Sequence, residues 1–227
     1  MPEKRYVIIV AGGSGVRMGG DIPKQFIELC GRPILMRTIE VFSKLPISPE
    51  IIVVLPQLQI EKWKILCTEH NFGIKHTVVV GGTERFYSVQ NGLQAIDDDD
   101  SIVAIHDGVR PLVSSTVIEE CYRVAEIKGN AIPVIPPVES VRLIENDSSI
   151  AFLRSNVILV QTPQVFKTGL IKQCYRQPYS INFTDDASVV EARGENIFTV
   201  EGNRENIKIT NQVDLLIAEA LLQKDKL

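Results

Sequence analysis

Short apolar runs alternate along the chain with longer stretches in which apolar side chains recur at helical spacing. Runs of this length, apolar throughout, are typical of strands buried on both faces of a parallel sheet. Such strands are predicted at residues 7–11, 51–55, 77–80, 102–106 and 131–135. Amphipathic helices are predicted between them at residues 33–45, 58–69, 84–96 and 114–128. This order predicts an α/β fold with a doubly wound, mostly parallel sheet, in one domain that spans residues 1–227.

The same alternation resumes near the carboxyl end. Further elements are predicted as a strand at 157–161, a helix at 168–175, a strand at 196–201 and a helix at 212–223. Thr184 is expected to be the N-cap of another helix, with Asp185 and Asp186 in its first turn, where acidic side chains complement the helix dipole. Because adjacent residues on a helix diverge, these two carboxylates are expected to cap the helix and not to form a catalytic pair.

Residues 138–154 interrupt the alternation of strands and helices. Two β-prone pieces flank residues 145–149, whose sequence E-N-D-S-S is typical of a hairpin turn. The segment is too short to be a domain, so we interpret it as a protruding β-hairpin arm. An isolated two-stranded hairpin is marginally stable. We therefore expect the arm to pack against a second copy of the chain in a homodimer; the alternative is a hairpin that lies on its own domain.

Composition and charge exclude several classes of protein. The chain has 24 Lys and Arg against 28 Asp and Glu, a net charge of -4, which argues against a nucleic-acid or membrane-surface binder. No apolar run approaches the ~18 residues of a membrane span. The 4 cysteines contain no C-x-x-C pair and there are 3 histidines, a pattern that favours reduced structural thiols over a zinc site. A cytoplasmic location is expected.

A glycine-rich loop follows the first apolar run and carries two cations. The segment reads V-I-I-V-A-G-G-S-G-V-R-M-G-G-D-I-P-K-Q-F over residues 7–26. Glycines let backbone N–H groups approach an anion, and Arg17 and Lys24 would meet phosphate oxygens. The loop lacks the Gly-Lys-Ser/Thr of a phosphate-binding Walker motif and the third glycine and distal acid of a dinucleotide fingerprint. A polyphosphate ligand is therefore expected at a different kind of loop.

Other polar clusters also follow predicted strands, at residues 81–82, 107–110, 162–164 and 206–208. In an open α/β sheet, the carboxyl ends of parallel strands share one edge, where ligands bind. Asp107 follows a buried strand; it either caps its own loop or helps to hold Mg²⁺ beside the polyphosphate, and we favour the metal role. No G-x-S-x-G motif supports a nucleophilic serine.

The motifs together resemble those of the 2-C-methyl-D-erythritol 4-phosphate cytidylyltransferases, a family of the non-mevalonate isoprenoid route. The matching blocks are A-G-G-S-G-V-R-M-G (11–19), P-K-Q-F (23–26), G-G-T-E-R-F-Y-S-V (81–89), H-D-G-V-R-P (106–111), Q-T-P-Q-V-F (161–166), T-D-D-A-S (184–188) and G-N-R-E-N-I-K-I-T (202–210). The resemblance covers essentially the whole chain. It implies a Rossmann-like nucleotidyltransferase fold and transfer of CMP from CTP, with Mg²⁺, to a polyol phosphate.

The resemblance also implies roles for individual residues. Cytosine and ribose would be bound by Ala11, Gly12, Gly13, Gly82, Thr83 and Ser88, with Asp107 and Gly108 nearby. The triphosphate and the transition state would be held by Arg17, Lys24 and Lys208. The polyol phosphate would be bound by Arg110, Ser140, Arg154, Thr162 and Thr184. Ser140 and Arg154 would reach the site from the arm of a partner subunit, although Arg154 could also be a solvated surface arginine.

This chain departs from the family pattern at a few positions. Gly12, Thr83, Gly108 and Ser140 stand where members often have Ala, an acid, Ala and Thr, and the change at Thr83 affects one expected base contact. Two alternatives stay open from the sequence. One is a ribitol 5-phosphate cytidylyltransferase, which shares several blocks, although the T-D-D-A-S segment favours the methylerythritol enzyme. The other is a non-catalytic nucleotide-binding protein on the same fold.

Overall fold

The structure is a computed structural model, and it describes residues 4–12 and 22–224. Within these ranges the α-helices are α1 (Ile34–Ser43), α2 (Ile60–Glu69), α3 (Arg85–Gln94), α4 (Ser115–Lys128), α5 (Thr168–Cys174), α6 (Asp186–Glu191) and α7 (Gln212–Lys224). The helices predicted from apolar spacing are confirmed, with ends that shift by a few residues. Ser114 caps α4, since its hydroxyl accepts from the Val117 N–H at 3.3 Å.

The strands of the described residues form one large sheet and two small hairpins. They are β1 (Arg5–Val10), β2 (Glu28–Leu29), β3 (Arg32–Pro33), β4 (Glu50–Leu55), β5 (Thr77–Val80), β6 (Ile102–Asp107), β7 (Asn130–Ile135), β8 (Val141–Glu145), β9 (Ser148–Phe152), β10 (Leu159–Val160), β11 (Gln164–Lys167) and β12 (Thr199–Glu201). The large sheet has the order β10-β7-β11-β6-β1-β4-β5, and β12 pairs with β7. The predicted α/β fold with a mostly parallel sheet is confirmed.

Strand β1 lies at the centre of the sheet, parallel to both β4 and β6. Successive side chains of β1 point to opposite faces, as the pleat requires. Val7 and Ile9 belong to a core that also contains Leu35 of α1, whereas Ile8 belongs to a second core that contains Phe86 of α3. Helices therefore cover both faces, which explains why the strands are apolar throughout.

The sequence-based prediction was incomplete after residue 156. The strand predicted at 157–161 is present in shortened form as β10, which pairs with β7, whereas β11 was not predicted. Strand β11 runs antiparallel between β6 and β7 and pairs with both. These pairings satisfy the backbone groups of two neighbouring strands, a requirement that local composition does not reveal.

The start of α6 also differs from the prediction. Asp185, and not Thr184, is the N-cap, and it forms a capping box in which its carboxylate accepts from the Ser188 N–H at 2.9 Å. Asp186 does more than complement the helix dipole, because its carboxylate is fully buried in an ion pair with Arg85. Asp185 therefore caps the helix, and Asp186 lies in its first turn as predicted but also forms a buried ion pair that the sequence did not predict.

The predicted β-hairpin is present as β8 and β9, which pair antiparallel with each other and form a separate two-stranded sheet. Asn146 adopts a left-handed conformation (φ 51°) at the turn, as asparagine readily does. Most hairpin side chains are exposed, and Ile144 is 86% exposed. The hairpin thus stands apart from the main sheet with apolar side chains in contact with solvent.

None of the helices in the described part of the chain is both long and apolar enough to cross a membrane.

Candidate active site

The carboxyl ends of four parallel strands meet at one edge of the sheet. Beyond β1, the Ala11 N–H donates to Val54 O of β4 at 2.9 Å. Beyond β5, the Gly81 N–H donates to Leu55 O at 2.8 Å, and beyond β6 the Gly108 N–H donates to Val10 O at 2.8 Å. These backbone bonds bring the predicted clusters at residues 11–12, 81–82 and 107–110 to the same edge, as the sequence predicted.

A first pocket opens at this edge, beside Ala11 and Gly12 at the end of β1. Its described lining is Val10, Ala11, Gly12, Lys24, Gln25, Gly82, Thr83, Glu84, Arg85, Ser88, Asp107, Val109 and Lys208. Eight of the residues expected to contact the nucleotide or its phosphates are in this set. Cationic, glycine and hydroxyl groups from distant parts of the chain therefore surround a single cavity.

Gly82 and Ser88 build one wall of the first pocket. The Gly82 N–H donates to Ser88 Oγ at 3.1 Å, which fixes the turn against the start of α3. A Cβ added at Gly82 would lie 2.3 Å from Tyr87 Cβ, so this position accepts no side chain. At Gly12 an added Cβ would lie 3.8 Å from Ser88 Oγ, an ordinary contact, so this position has room for alanine.

A second pocket adjoins the first. Its described lining is Arg85, Asp107, Arg110, Val160, Gln161, Thr162, Gln164, Thr184, Asp185 and Lys208. Arg110, Thr162 and Thr184, which the resemblance assigned to the polyol phosphate, lie here together. Arg85, Asp107 and Lys208 line both pockets and form their common wall. Ligands bound in the two pockets would therefore lie next to each other, in contact with the same three residues.

Asp107 is surrounded by cations at the common wall. Its Oδ2 lies 3.1 Å from Arg110 Nε and 3.1 Å from Lys208 Nζ, and its Oδ1 lies 3.9 Å from Arg85 Nε. Burial opposes ionisation, but the charges of Lys208, Arg85 and Arg110 outweigh it and hold the pKa of Asp107 well below its usual range. Asp107 is therefore an anion held among three cations, of which Arg85 is also paired with Asp186.

His106 fixes the hydroxyl of Thr162 behind this wall. Burial lowers the pKa of His106 to about 4, so the ring is neutral near pH 7. Its Nε2 lies 3.0 Å from Arg110 O, a carbonyl that only accepts, so Nε2 carries the proton and Nδ1 accepts from Thr162 Oγ1 at 3.0 Å. The same hydroxyl oxygen accepts from the Asp107 N–H at 3.1 Å. Thr162 therefore donates its hydroxyl hydrogen bond to His106.

Lys208 is positioned by the buried side chain of Asn206. Asn206 Nδ2 donates to Thr162 O at 2.8 Å, and Asn206 O accepts from Arg110 Nη1 at 2.8 Å. Gln161 Nε2 adds a bond to Asn203 O at 2.9 Å. These contacts tie the segment before α7 to the ends of β6 and β10, and so bring Lys208 to the site.

Lys24 reaches the first pocket from a short 3-10 turn, Lys24–Phe26. The neighbouring Gln25 is buried and donates to Ala11 O at 2.8 Å, which ties this turn to the end of β1. Phe26 stacks on Trp63 of α2 with 6.0 Å between ring centroids. The contacts of Gln25 with Ala11 and of Phe26 with Trp63 therefore hold the turn in place, and with it Lys24 at the pocket.

The remaining predicted site residues lie elsewhere. Ser140 and Arg154 are exposed on the arm, outside the lining of both pockets, and Arg154 Nη1 donates to Val138 O at 2.5 Å. Gly108 packs behind the first pocket, where an added Cβ would lie 2.9 Å from Ala11 Cβ. Gly13 and Arg17 lie outside the described residues.

The sequence-based prediction gave no role to Arg85 or Gln161, although both line a pocket. Arg85 lies in the block G-G-T-E-R, which on its own is also typical of a turn and helix cap. The resemblance of that block to the family is the signal that could have singled it out. Its partner Asp186 is far away in the sequence, and no local pattern links the two.

Comparisons with known proteins identify the family of this chain. The family model of 2-C-methyl-D-erythritol 4-phosphate cytidylyltransferase matches residues 6–224. A protein of that name from Phocaeicola vulgatus is 52% identical over 218 residues, which cover 96% of this chain and 99% of that protein. One from Bacteroides fragilis is 51% identical over 218 residues, with the same coverage of 96% and 99%.

Solved structures show the same similarity. The crystal structure of 4-diphosphocytidyl-2C-methyl-D-erythritol synthase from Anaerococcus prevotii has a TM-score of 0.82 and 30% identity, covering 97% of this chain and 96% of that one. The Francisella tularensis 2-C-methyl-D-erythritol 4-phosphate cytidylyltransferase has a TM-score of 0.78 and 33% identity, covering 96% and 99%. The chain belongs to the 2-C-methyl-D-erythritol 4-phosphate cytidylyltransferase family.

Proposed function

We propose that this chain transfers CMP from CTP to 2-C-methyl-D-erythritol 4-phosphate, giving 4-diphosphocytidyl-2-C-methyl-D-erythritol and pyrophosphate for isoprenoid precursor synthesis. The observation that carries the proposal is the common wall of the two pockets, where Asp107, Lys208 and Arg85 face both cavities. A nucleotide in one pocket and a phosphate monoester in the other would meet there. The names of the relatives favour the methylerythritol acceptor over ribitol 5-phosphate.

The reaction brings one anion to another. An oxygen of the acceptor phosphate attacks the α-phosphorus of CTP, the bond to the bridging oxygen of the β-phosphate breaks, and pyrophosphate leaves with that bond's electrons. No covalent enzyme intermediate is needed, so catalysis consists of positioning and charge stabilisation. Lys24 and Lys208 supply positive charge from opposite ends of the sequence, and Arg17 of the glycine-rich loop is proposed to act with them.

The first pocket is proposed to hold the nucleotide. Ala11, Gly12, Gly82, Thr83 and Ser88 line it, and Gly13 and Gly108 complete the proposed set for cytosine and ribose. Thr83 is exposed at the rim of the pocket. Its hydroxyl stands where family members often have a carboxylate.

The second pocket is proposed to hold the polyol phosphate, with Arg110, Thr162 and Thr184 as ligands. Since the Thr162 proton is directed at His106, Thr162 offers the ligand an oxygen lone pair. It would therefore accept from a polyol hydroxyl, while Arg110 and Lys208 meet the phosphate. Ser140 and Arg154 are proposed to approach from the arm of a partner subunit.

The site chemistry fits a magnesium ion that is held partly by substrate. Asp107 Oδ2 faces Arg110 and Lys208, while Oδ1 lies 3.9 Å from Arg85 Nε, beyond hydrogen-bonding distance. One carboxylate oxygen beside a triphosphate is the donor set that Mg²⁺ commonly uses together with phosphate oxygens and water. The described residues contain no group of three acidic, His or Cys side chains arranged for a metal by themselves. When bound, the ion supplies charge neutralisation at the phosphates.

A homodimer in the cytoplasm completes the proposal. The exposed apolar side chains of the arm, such as Ile144, support packing against a second copy. Cys30, Cys67, Cys121 and Cys174 are free thiols, which is the state expected in a reducing compartment.

The test is to incubate the purified protein with CTP, Mg²⁺ and either 2-C-methyl-D-erythritol 4-phosphate or ribitol 5-phosphate. The proposal predicts pyrophosphate release and a diphosphocytidyl product with the first acceptor. A product formed only from ribitol 5-phosphate would reassign the acceptor. CTP binding without pyrophosphate release from either acceptor would identify a nucleotide-binding protein without this activity.

A further inference from the structure

Arg85 occupies a place in this site that the assigned roles do not explain. It lines both pockets, and its side chain is 31% exposed. Its Nη1 donates to Asp186 Oδ1 at 2.8 Å and its Nη2 donates to Asp186 Oδ2 at 2.6 Å. This bidentate pair fixes the plane and direction of the guanidinium.

The anchor beneath Arg85 is itself buried and fully engaged. The Asp186 side chain is 0% exposed, and its Oδ1 also accepts from Tyr175 Oη–H at 2.6 Å. The Tyr175 ring stacks on Phe86, with ring centroids 4.6 Å apart, so the hydroxyl is held in place. Arg85 is therefore held by a charge pair that sits in the core of the protein.

Both Nη atoms of Arg85 contact Asp186. Its Nε lies 3.9 Å from Asp107 Oδ1, at ion-pair distance. A pair that merely fastened α6 to α3 would need only the Nη contacts. The proximity of the Arg85 charge to Asp107, the acid that both pockets share, indicates a second role.

We propose that Arg85 is a positioning residue for the transfer reaction: anchored by Asp186 and Tyr175, it holds the Asp107 carboxylate in place at the wall between the two pockets. Its positive charge balances Asp107 from the side opposite Arg110 Nε and Lys208 Nζ, which contact the other carboxylate oxygen. The inference rests on the proposed function, because it concerns the same site.

A double-mutant cycle separates this role from a purely structural one. The variants are R85Q, D186N and R85Q/D186N, each measured for melting temperature, for steady-state kinetics and for CTP affinity by calorimetry. Each single variant leaves one charge without its partner and is expected to melt at a lower temperature. The double variant replaces the ion pair by two neutral amides, so it is expected to recover most of the melting temperature.

The kcat of the double variant distinguishes a positioning role of Arg85 from a purely structural one. The double variant is expected to keep kcat reduced by about tenfold or more, with the CTP dissociation constant within about threefold, because Asp107 loses the positive charge near its Oδ1 while the nucleotide pocket remains. Recovery of kcat together with the melting temperature would overturn the inference, since the pair would then be structural only. If the double variant does not fold, R85K and R85Q are compared instead: R85K keeps the positive charge and is expected to retain more of kcat than R85Q, and equal kcat in the two variants would overturn the inference.

Arg123 and Glu120 provide the matched control. They form another close Arg–carboxylate contact, at 2.8 and 2.6 Å, but on the exposed face of α4 and outside both pockets. R123Q/E120Q is expected to leave kcat and the melting temperature nearly unchanged. Wild-type protein that is inactive with both polyol phosphates would refute the proposed function itself, a result distinct from restored kcat in the double variant.

Discussion

Lys208 Nζ lies 3.1 Å from Asp107 Oδ2, and this ion pair joins the end of β6 to the segment before α7. The contact brings a cation from near the carboxyl terminus to the edge where β1 and β6 end. Because both residues line both pockets, the pair lies where a triphosphate and an acceptor phosphate would meet. The charge arrangement therefore depends on long-range folding and not on one motif.

Removal of either lysine should impair turnover more than binding. In Lys24→Ala or Lys208→Ala, kcat is expected to fall by about 10²–10³, the scale of removing one preorganised donor from a developing charge. Steady-state kinetics at saturating CTP and acceptor measure this. Lys44→Ala and Lys167→Ala, which change exposed lysines outside both pockets, should stay near the wild-type rate. A Lys24→Ala variant with normal turnover would contradict the role of that side chain.

The two glycines of the first pocket should respond differently to the same change. Gly82→Ala puts a methyl group 2.3 Å from Tyr87 Cβ, so the turn must shift. We expect a loss of about 1–3 kcal/mol in the free energy of unfolding and a clear rise in KM for CTP. In Gly12→Ala the nearest atom among the described residues, Ser88 Oγ, is 3.8 Å away, so both quantities should stay close to wild type. Equal effects of the two substitutions would show that the turn at Gly82 is looser than described.

The stability of the protein should depend on His106 in mildly acidic solution. Burial lowers its pKa to about 4 in the folded state, against an ordinary histidine pKa of 6.5. The unfolded chain therefore takes up a proton first as the pH falls below 6.5, and stability decreases until the folded state also binds it near pH 4. The loss should be on the order of 3 kcal/mol over this window.

Urea unfolding of wild type and His106→Asn between pH 7 and pH 4 measures this effect. The wild type should lose more stability than the variant over this range. The difference between the two pH profiles removes the contribution of ordinary carboxyl groups, because both proteins share it. Asp107, whose pKa is lowered, contributes stability that is lost as the pH falls from the usual Asp range toward its lowered pKa, so most of this loss lies at lower pH than the His106 effect. Parallel pH profiles of the two proteins would contradict the neutral buried histidine.

The fold was predicted from the sequence wherever one physical cause dominated. Strands β1, β4 and β6 are buried on both faces, so their apolar character alone identifies them. Strand β11 was not recognised, because its place between β6 and β7 is set by pairing with distant residues and its ends are the polar Gln164 and Lys167. Thr184 and Asp185 are both good N-caps, and only the capping box with Ser188 decides between them.

Part of the site could also be predicted from the sequence. Convergence of strand ends correctly brought Lys24, Asp107 and Lys208 to one edge, since topology determines where parallel strands finish. The local sequence around Arg85 or Asp186 does not indicate that they pair, because each residue alone is compatible with the start of a helix. The inward direction of the Thr162 proton likewise follows only from the contacts of His106.

The arm should control the oligomeric state. Ile144→Asp introduces a charge on a hairpin side chain that is 86% exposed in the single chain. If the arm packs against a second copy, this charge would be buried in the interface, and the variant should be shifted strongly toward monomer. Sedimentation equilibrium of wild type and variant measures the change. Leu58→Asp, at a leucine that is 94% exposed and outside the arm, is the matched control and should remain dimeric. A monomeric wild type would refute the dimer.

The most direct test of the central claim is to follow which phosphorus of CTP is transferred. The protein is incubated with 2-C-methyl-D-erythritol 4-phosphate, Mg²⁺ and CTP that carries radioactive phosphorus at either the α or the γ position. The charge arrangement around Asp107, Lys24 and Lys208 predicts that the α label enters the diphosphocytidyl product and the γ label leaves as pyrophosphate. Transfer of the γ label to the acceptor, or retention of both labels in CTP, would contradict cytidylyl transfer by this site.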